Sequence, residues 1–324
     1  MGKILITGGA GFIGAYVSRE LLERGDEVVI YDSFVQYISP LESCYQLYVE
    51  KRFNGIKDKV VIIRGDTRDQ HDIRRAILFH RPQRIIHLAA LPIADLSNTH
   101  SEEALSSILN GTVNILEVMR DVDFVERFVY ASSSMVYGDF IYRPADEDHP
   151  KNPKDVYGGT KLAGEVITQS FGRRYGIEYT IIRPSAVYGP TDVNRRVSQI
   201  FVENAIEGIP LELHDGGRSS LDFSYVKDVA QGFVLATFAE RAKNQIYNIT
   251  RGEGRSLREF VDILKTMIPD IKVTETAADV FRPSRGSMDI SKARKELDYN
   301  PRYSLEDGVR EYVDFIRGLK VIKE

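Results

Sequence analysis

The 324-residue chain holds one cysteine, Cys44, and no tryptophan. A single thiol cannot form an internal disulfide, which excludes a cross-linked secreted scaffold and fits a reducing, cytoplasmic compartment. Cys44 itself reads as a surface or half-buried thiol. No apolar run nears the ~20 residues a membrane-spanning helix needs. The N-terminus enters Lys3-Ile-Leu-Ile-Thr7 directly, without the pattern of a signal peptide. Neither sign of charge dominates: 43 Lys and Arg stand against 47 Asp and Glu. That leaves no broad basic face for nucleic acid or an anionic membrane, so an anionic ligand has to be held by local arginines and backbone N–H groups. The six histidines show no metal-ligand spacing, and His87, at the end of an apolar run, reads as core. The cluster Ser132-Ser133-Ser134 lacks the Gly-x-Ser-x-Gly elbow of a hydrolase. Internal repeats and low-complexity segments are absent.

What the chain does hold is a regular alternation. Nearly all-apolar, β-branched runs at residues 3–7, 27–31, 60–64, 84–88, 127–131 and 179–183 alternate with helix-period segments at 12–24, 70–80, 101–121 and 155–175. Runs apolar at every position suit parallel strands covered on both faces. The alternation predicts an α/β fold, a Rossmann-type doubly wound parallel sheet with right-handed crossovers. After Pro184 it gives way to shorter mixed elements with Pro190, Pro210 and Gly216-Gly217, then returns near 221–239. The expected division is a dinucleotide-binding lobe at 1–184, with 221–250 rejoining it, and a smaller C-terminal α/β substrate-binding lobe from 185–220 and 251–324. Segment 33–55 is long for a strand-to-helix connection. Its Phe34, Tyr37, Tyr45, Tyr48 and Phe53, around Pro40, predict an added helix packed on the first lobe, with a substrate or subunit contact as the alternative.

The first strand runs into Gly8-Gly9-Ala10-Gly11-Phe12-Ile13-Gly14 and then a helical pattern. Gly8 permits the tight turn, Gly11 lets the backbone approach a pyrophosphate, and Gly14 lets helix and strand pack closely. The helix N–H groups and dipole hold phosphate, which marks Gly8, Gly11, Phe12, Ile13 and Gly14 as cofactor-binding positions. The second strand ends in Asp32. A carboxylate there accepts from a ribose 2′-OH and repels a 2′-phosphate, favouring NAD over NADP. Asp66, followed by Thr67, reads either as an acceptor for the adenine amino group or as an N-cap.

Tyr157 and Lys161 stand four residues apart in a helix-period segment, about 25 residues after the serine cluster. An ammonium beside a phenol favours the phenolate, and a serine hydroxyl can hold the oxygen of an alcohol that is losing a hydride. This is the layout of an enzyme that oxidises or reduces a carbinol with a nicotinamide cofactor.

Nearly the whole chain resembles the extended short-chain dehydrogenases/reductases, in particular the nucleotide-sugar epimerases and dehydratases. The resemblance rests on residues 7–14, Ile86-His87-Leu88-Ala89-Ala90, Asn110-Gly111-Thr112, Ser132-Ser133-Ser134-Met135-Val136-Tyr137-Gly138, Tyr157 with Lys161, Arg183-Pro184-Ser185-Ala186-Val187-Tyr188-Gly189-Pro190 and Asp222-Phe223-Ser224-Tyr225-Val226. It implies Ser133, Tyr157 and Lys161 as the catalytic set. For the cofactor it adds Asp66, Thr67, Leu88, Ala89, Ala90 and Asn110, with Tyr157 and Lys161 also touching it. For a nucleoside-diphosphate sugar it implies Ser133, Ser134, Arg196, Val197, Arg218 and Arg285. Arg195 and Arg282 are alternatives for the diphosphate, because Leu221 stands where the family's phosphate arginine usually sits. The family's dehydratases carry an Asp-Glu pair where this chain has Ser134-Met135. Methionine can be neither acid nor base, so the resemblance points to a 4-epimerase using NAD, with a 4-keto-sugar reductase, a 4-dehydrogenase or a non-enzymatic NAD module as rivals. It also implies a homodimer through helices 101–121 and 155–175, although Leu105, Ile108, Leu109, Val113 and Leu116 are equally explained by packing on the sheet.

Overall fold

The computed structural model describes residues 1–39, 45–278 and 282–321; Pro40 and Cys44 lie outside the described residues. Seven parallel strands form one sheet. Six come from the expected runs: β1 (Lys3–Thr7), β2 (Glu27–Asp32), β3 (Val60–Arg64), β4 (Arg84–His87), β5 (Arg127–Ala131) and β6 (Tyr179–Arg183). The seventh, Gln245–Asn248, pairs with β6. From that edge the order continues β6-β5-β4-β1-β2-β3, so the order reverses between β1 and β4. In such a sheet the crevice for ligands opens beyond the carboxyl ends of the strands at that reversal.

Apolar clusters cover both faces of the sheet. On one, Ile4, Ile6, Val28 and Ile30 pack with helix α1 (Phe12–Glu23) and the helix Val226–Phe238. On the other, Leu5, Val29, Ile85 and Phe128 pack beneath the helices Gln70–His80, Gly111–Arg120 and Val156–Tyr175. β3 departs from the expectation of strands buried on both faces: Val61 is 47% and Ile62 39% exposed. It is the edge strand, paired with β2 alone. A further apolar cluster, with Phe201, Phe260, Leu264 and Tyr312, is built from the helices Val197–Glu207, Leu257–Met267 and Leu305–Val321. In the segment after β2, a helix at Tyr45–Phe53 buries Tyr48 and Phe53.

The expected helix at 101–121 is broken in the middle. It runs as Ser101–Ala104, a wider π-type turn at Leu105–Asn110, and Gly111–Arg120. A π turn inserts backbone without advancing the helical pattern, so it rotates the residues on either side relative to one another.

Candidate active site

One cavity of about 960 Å³ opens at the carboxyl ends of β1, β4 and β5 and extends to the Val197–Glu207 helix. At its cofactor end the chain after β1 turns at Gly8, whose φ is +69°. A Cβ on Gly14 would lie 2.5 Å from the Gly8 carbonyl oxygen, so only glycine lets α1 start this close to β1. No side chain caps the N-terminus of α1, which leaves its first N–H groups for a ligand. Asp32 closes this end. Its carboxylate accepts from the N–H of Ala10 at 2.9 Å and of Phe34 at 2.8 Å, and burial raises its pKa against those bonds.

Gly8, Gly11, Phe12, Ile13, Gly14, Asp32, Asp66, Thr67, Leu88, Ala89 and Ala90 all line the cavity. Asp66 is not the cap of the next helix; Asp69 is, accepting from the Asp72 N–H at 3.0 Å. Asp66 pairs instead with Arg68 at 2.6 Å. Asn110 is corrected by the structure. It is exposed and does not line the cavity, because the π turn carries it outward; Ser107, three residues earlier, takes the inward position and its hydroxyl accepts from the Leu91 N–H at 3.3 Å.

The middle of the cavity holds the three residues expected to do chemistry. Asp155 caps the Val156–Tyr175 helix by accepting from the Gly158 N–H at 2.7 Å, and one turn separates Tyr157 from Lys161 on the cavity side. Ser133 follows β5 and caps the short turn Ser134–Tyr137. Beneath it, Glu165 accepts from the Ser132 hydroxyl and from Arg183 Nε and Nη2, at 2.8 and 2.6 Å for the arginine bonds. Arg183 also donates to the Tyr137 hydroxyl at 2.8 Å. This buried pair holds the serine loop against the Val156–Tyr175 helix, and removing one partner would strand the other's charge.

The electrostatics differ from expectation in one respect. Burial pushes the Tyr157 phenol up, and the opposing influences are Arg196 and the Ser133 hydroxyl. Lys161 Nζ lies 5.9 Å from the Tyr157 ring centroid and donates to the Ala131 carbonyl at 2.7 Å. Burial lowers its pKa to about 7, so near neutral pH it carries only part of a charge, and Arg196 becomes the main cation acting on the phenol.

The substrate end is built from loops. Ala186, Thr191 and Arg195 have φ of +37°, +72° and +50°, left-handed values that cost non-glycine residues about 1–3 kcal/mol and persist where the surroundings hold them. Arg196 and Val197 open a helix with no side-chain cap, and Arg196 pairs with buried Asp192 at 2.8 Å. Ser134 and Arg285 also face the cavity, with Arg285 Nη1 3.3 Å from the Ser134 hydroxyl. Arg218 does not. The turn at Asp215–Gly217 carries it outward, where its side chain is 79% exposed and paired with Asp215. Sequence reasoning missed Arg52, a buried arginine whose Nη1 donates to the Ala10 carbonyl at 2.9 Å and whose Nη2 donates to the Thr191 carbonyl at 2.5 Å. It ties the glycine loop to the substrate loop. Its only sequence signal is one arginine in a helix marked mainly by its aromatics.

His87 is core: it bonds the hydroxyls of Thr7 at 2.6 Å and Thr112 at 3.1 Å, and burial lowers its pKa to about 3. Among the described residues no group of three or more His, Cys, Asp or Glu is placed to hold a metal, and no helix is long and apolar enough to cross a membrane.

Residues 5–312 match the family described as GDP-mannose 4,6 dehydratase. The chain belongs to that family. Met135, two residues beyond Ser133, lines its cavity with a side chain that can neither give nor take a proton. A protein of Methanocaldococcus jannaschii, provisionally named UDP-glucose 4-epimerase, is 33% identical over 97% of this chain and 98% of its own length. UDP-glucuronate 4-epimerase 6 of Arabidopsis thaliana is 29% identical over 98% of this chain and 72% of its own length. The crystal structure of UDP-glucuronic acid 4-epimerase from Bacillus cereus, in complex with UDP-glucuronic acid and NAD, superposes with a TM-score of 0.89 at 26% identity, covering 98% of this chain and 99% of that one.

Proposed function

We propose that this family member is an NAD-dependent 4-epimerase of a nucleoside-diphosphate sugar. The observation that carries the reading is the convergence of Ser133, Tyr157 and Lys161 at mid-cavity, between a dinucleotide cradle and a loop-built arginine end. NAD fits the cradle. The turn at Gly8, the absence of a Cβ at Gly11 and Gly14, the uncapped start of α1 and the carboxylate of Asp32 match a pyrophosphate and an unphosphorylated ribose. Held there by the Gly8–Gly14 loop and Asp32, NAD would supply a reversible hydride acceptor for a sugar carbon. The residues do the rest. The Tyr157 oxygen takes the proton of the C4 hydroxyl and later gives it back. The Ser133 hydroxyl holds the C4 oxygen while it has carbonyl character. Lys161, fixed by the Ala131 carbonyl, holds the cofactor ribose, while Arg196 is the cation that favours the phenolate. Arg196 and the free N–H groups from Val197 onward anchor the diphosphate, so the 4-keto sugar can turn over without leaving.

The division into a dinucleotide lobe at 1–184 with 221–250, and a substrate lobe from the remainder, is part of this reading. It is supported by the parallel pairing of Gln245–Asn248 with β6 and by the separate apolar cluster around Phe260. A homodimer is supported by Leu105 and Val166, 47% and 50% exposed on the paired helices. A cytoplasmic setting is supported by the single cysteine.

The test is proton NMR of the anomeric region with purified enzyme and a panel of UDP-, GDP-, dTDP- and CDP-hexoses, without added cofactor. New signals of a C4 epimer that reach a plateau are expected. A product that forms only with stoichiometric NADH or NADPH would replace the reading with a reductase.

A further inference from the structure

Arg285 stands out among the cavity arginines. Its Nε is buried with no hydrogen-bond partner, and among the described residues it has no ion pair. Arg196, by comparison, is held by Asp192. The nearest acidic influence on Arg285 is Asp155, whose carboxylate is already committed to capping the catalytic helix. Burial lowers the arginine pKa to about 10, which still leaves it a cation at neutral pH. The residue is half-buried, but a charged donor such as this Nε, closed off from solvent without a partner, is costly unless a ligand supplies the acceptor.

Its position identifies the acceptor. Nη1 reaches the hydroxyl of Ser134, the residue next to Ser133. The segment that carries it is stitched to the 139–145 loop. Ser284 N–H donates to Asp139 at 2.7 Å, Arg143 Nε donates to the Arg285 carbonyl at 3.1 Å, and Arg143 Nη2 donates to the Ser284 hydroxyl at 2.8 Å. The guanidinium is therefore fixed one residue from the group that holds the C4 oxygen. In a pyranose the diphosphate hangs from C1, across the ring from C4, whereas the substituent of C5 is adjacent to C4. A cation beside Ser134 is placed for a charge on C5, and the charge a hexose carries there is a C6 carboxylate.

Building on the 4-epimerase reading, we propose that Arg285, with Ser134, reads the C6 carboxylate of the sugar, so that the substrate is a nucleoside-diphosphate hexuronic acid. This assigns Arg285 to specificity instead of to the diphosphate. A planar guanidinium suits the task because it can engage a carboxylate through two donors.

Calorimetric affinities of the NAD-loaded enzyme for UDP-glucuronic acid, UDP-glucose and UDP alone test this, in wild type and Arg285→Gln. Wild type is expected to bind the uronic acid roughly ten- to hundred-fold more tightly than UDP-glucose, the worth of one charge-assisted contact. Arg285→Gln should erase that preference and leave the affinity for UDP unchanged, which also reports that the variant is folded. Equal affinity of wild type for the two sugars overturns the proposal. So does an equal loss for both sugars and UDP in the variant, the signature of a diphosphate arginine. Binding is read apart from turnover. A uronate preference without epimerisation would sink the epimerase reading alone, and epimerisation without a preference would sink the carboxylate assignment alone.

Discussion

The two ends of the cavity are built on different principles. At the cofactor end, recognition comes from backbone: the turn at Gly8, the close approach at Gly14 and the bare N-terminus of α1. At the proposed substrate end the lining is long cationic side chains, Arg195, Arg196 and Arg285, on loops in which Ala186, Thr191 and Arg195 have left-handed conformations. A backbone site constrains residue types at fixed spacing, because only glycine fits where a Cβ has no room. A side-chain site constrains only where a guanidinium arrives, and a loop of another length can deliver it from another position. Arg52, bonding Ala10 on one side and Thr191 on the other, joins the two.

The largest effect is expected where the ends meet. Tyr157→Phe should lower turnover by about 10³-fold or more while resident cofactor, measured by absorbance after denaturation, stays at the wild-type level. Activity within tenfold of wild type would remove Tyr157 from the proton-transfer role. Next in size is the backbone dependence of the cofactor end. Gly14→Ala places a methyl 2.5 Å from the Gly8 carbonyl, and should strip most of the NAD from the purified protein and lower its melting temperature. Full cofactor content in that variant would mean the loop adapts.

Lys161 sharpens the contrast, since an ionisable amine is fully buried beside the backbone-built end at a stability cost. Its pKa falls from 10.5 to about 7 on folding, so between those values the unfolded chain binds the extra proton. Stability then rises with pH from about 7 to about 10.5, and the cost is greatest below pH 7. Lys161→Met removes it. In cofactor-free protein the variant should gain roughly 3–4 kcal/mol at pH 7 relative to its standing at pH 10, read by urea unfolding, while losing activity. The lost bond to the Ala131 carbonyl subtracts equally at both pH values, so a pH-independent difference would show that the lysine is not perturbed. The smallest effect is expected at Arg218. Paired with Asp215 outside the cavity, its change to Ala should alter kcat/KM less than twofold. A tenfold rise in KM would place it at the diphosphate after all.

The same division explains what could be read from sequence. Five of the strand runs and the glycine loop were legible because buried parallel strands are apolar throughout and the turn at Gly8 favours glycine; β3 was legible only as a β-branched run. Tyr157 and Lys161 were legible because helix geometry alone puts them on one face. Asn110 was misplaced because a π turn leaves no mark in a hydrophobic pattern, yet it exchanges Asn110 for Ser107. Arg218 was misplaced because its direction depends on the turn at Asp215–Gly217, where Asp215 and both glycines have positive φ. The exposure of Val61 and Ile62 is a consequence of strand order, which a run of β-branched residues does not encode. The partial neutralisation of Lys161 is a property of the assembled site, since it needs the depth of burial as well as the residue.

The central claim is that the C4 hydrogen leaves the sugar as a hydride and returns to the same carbon. A nucleotide sugar carrying deuterium at C4, monitored by NMR in ordinary water, tests it directly. The account predicts a C4 epimer that keeps its deuterium at C4, with none lost to solvent over many turnovers. Epimer formed with a solvent proton at C4 would contradict it, because the carbon would then have been inverted by deprotonation.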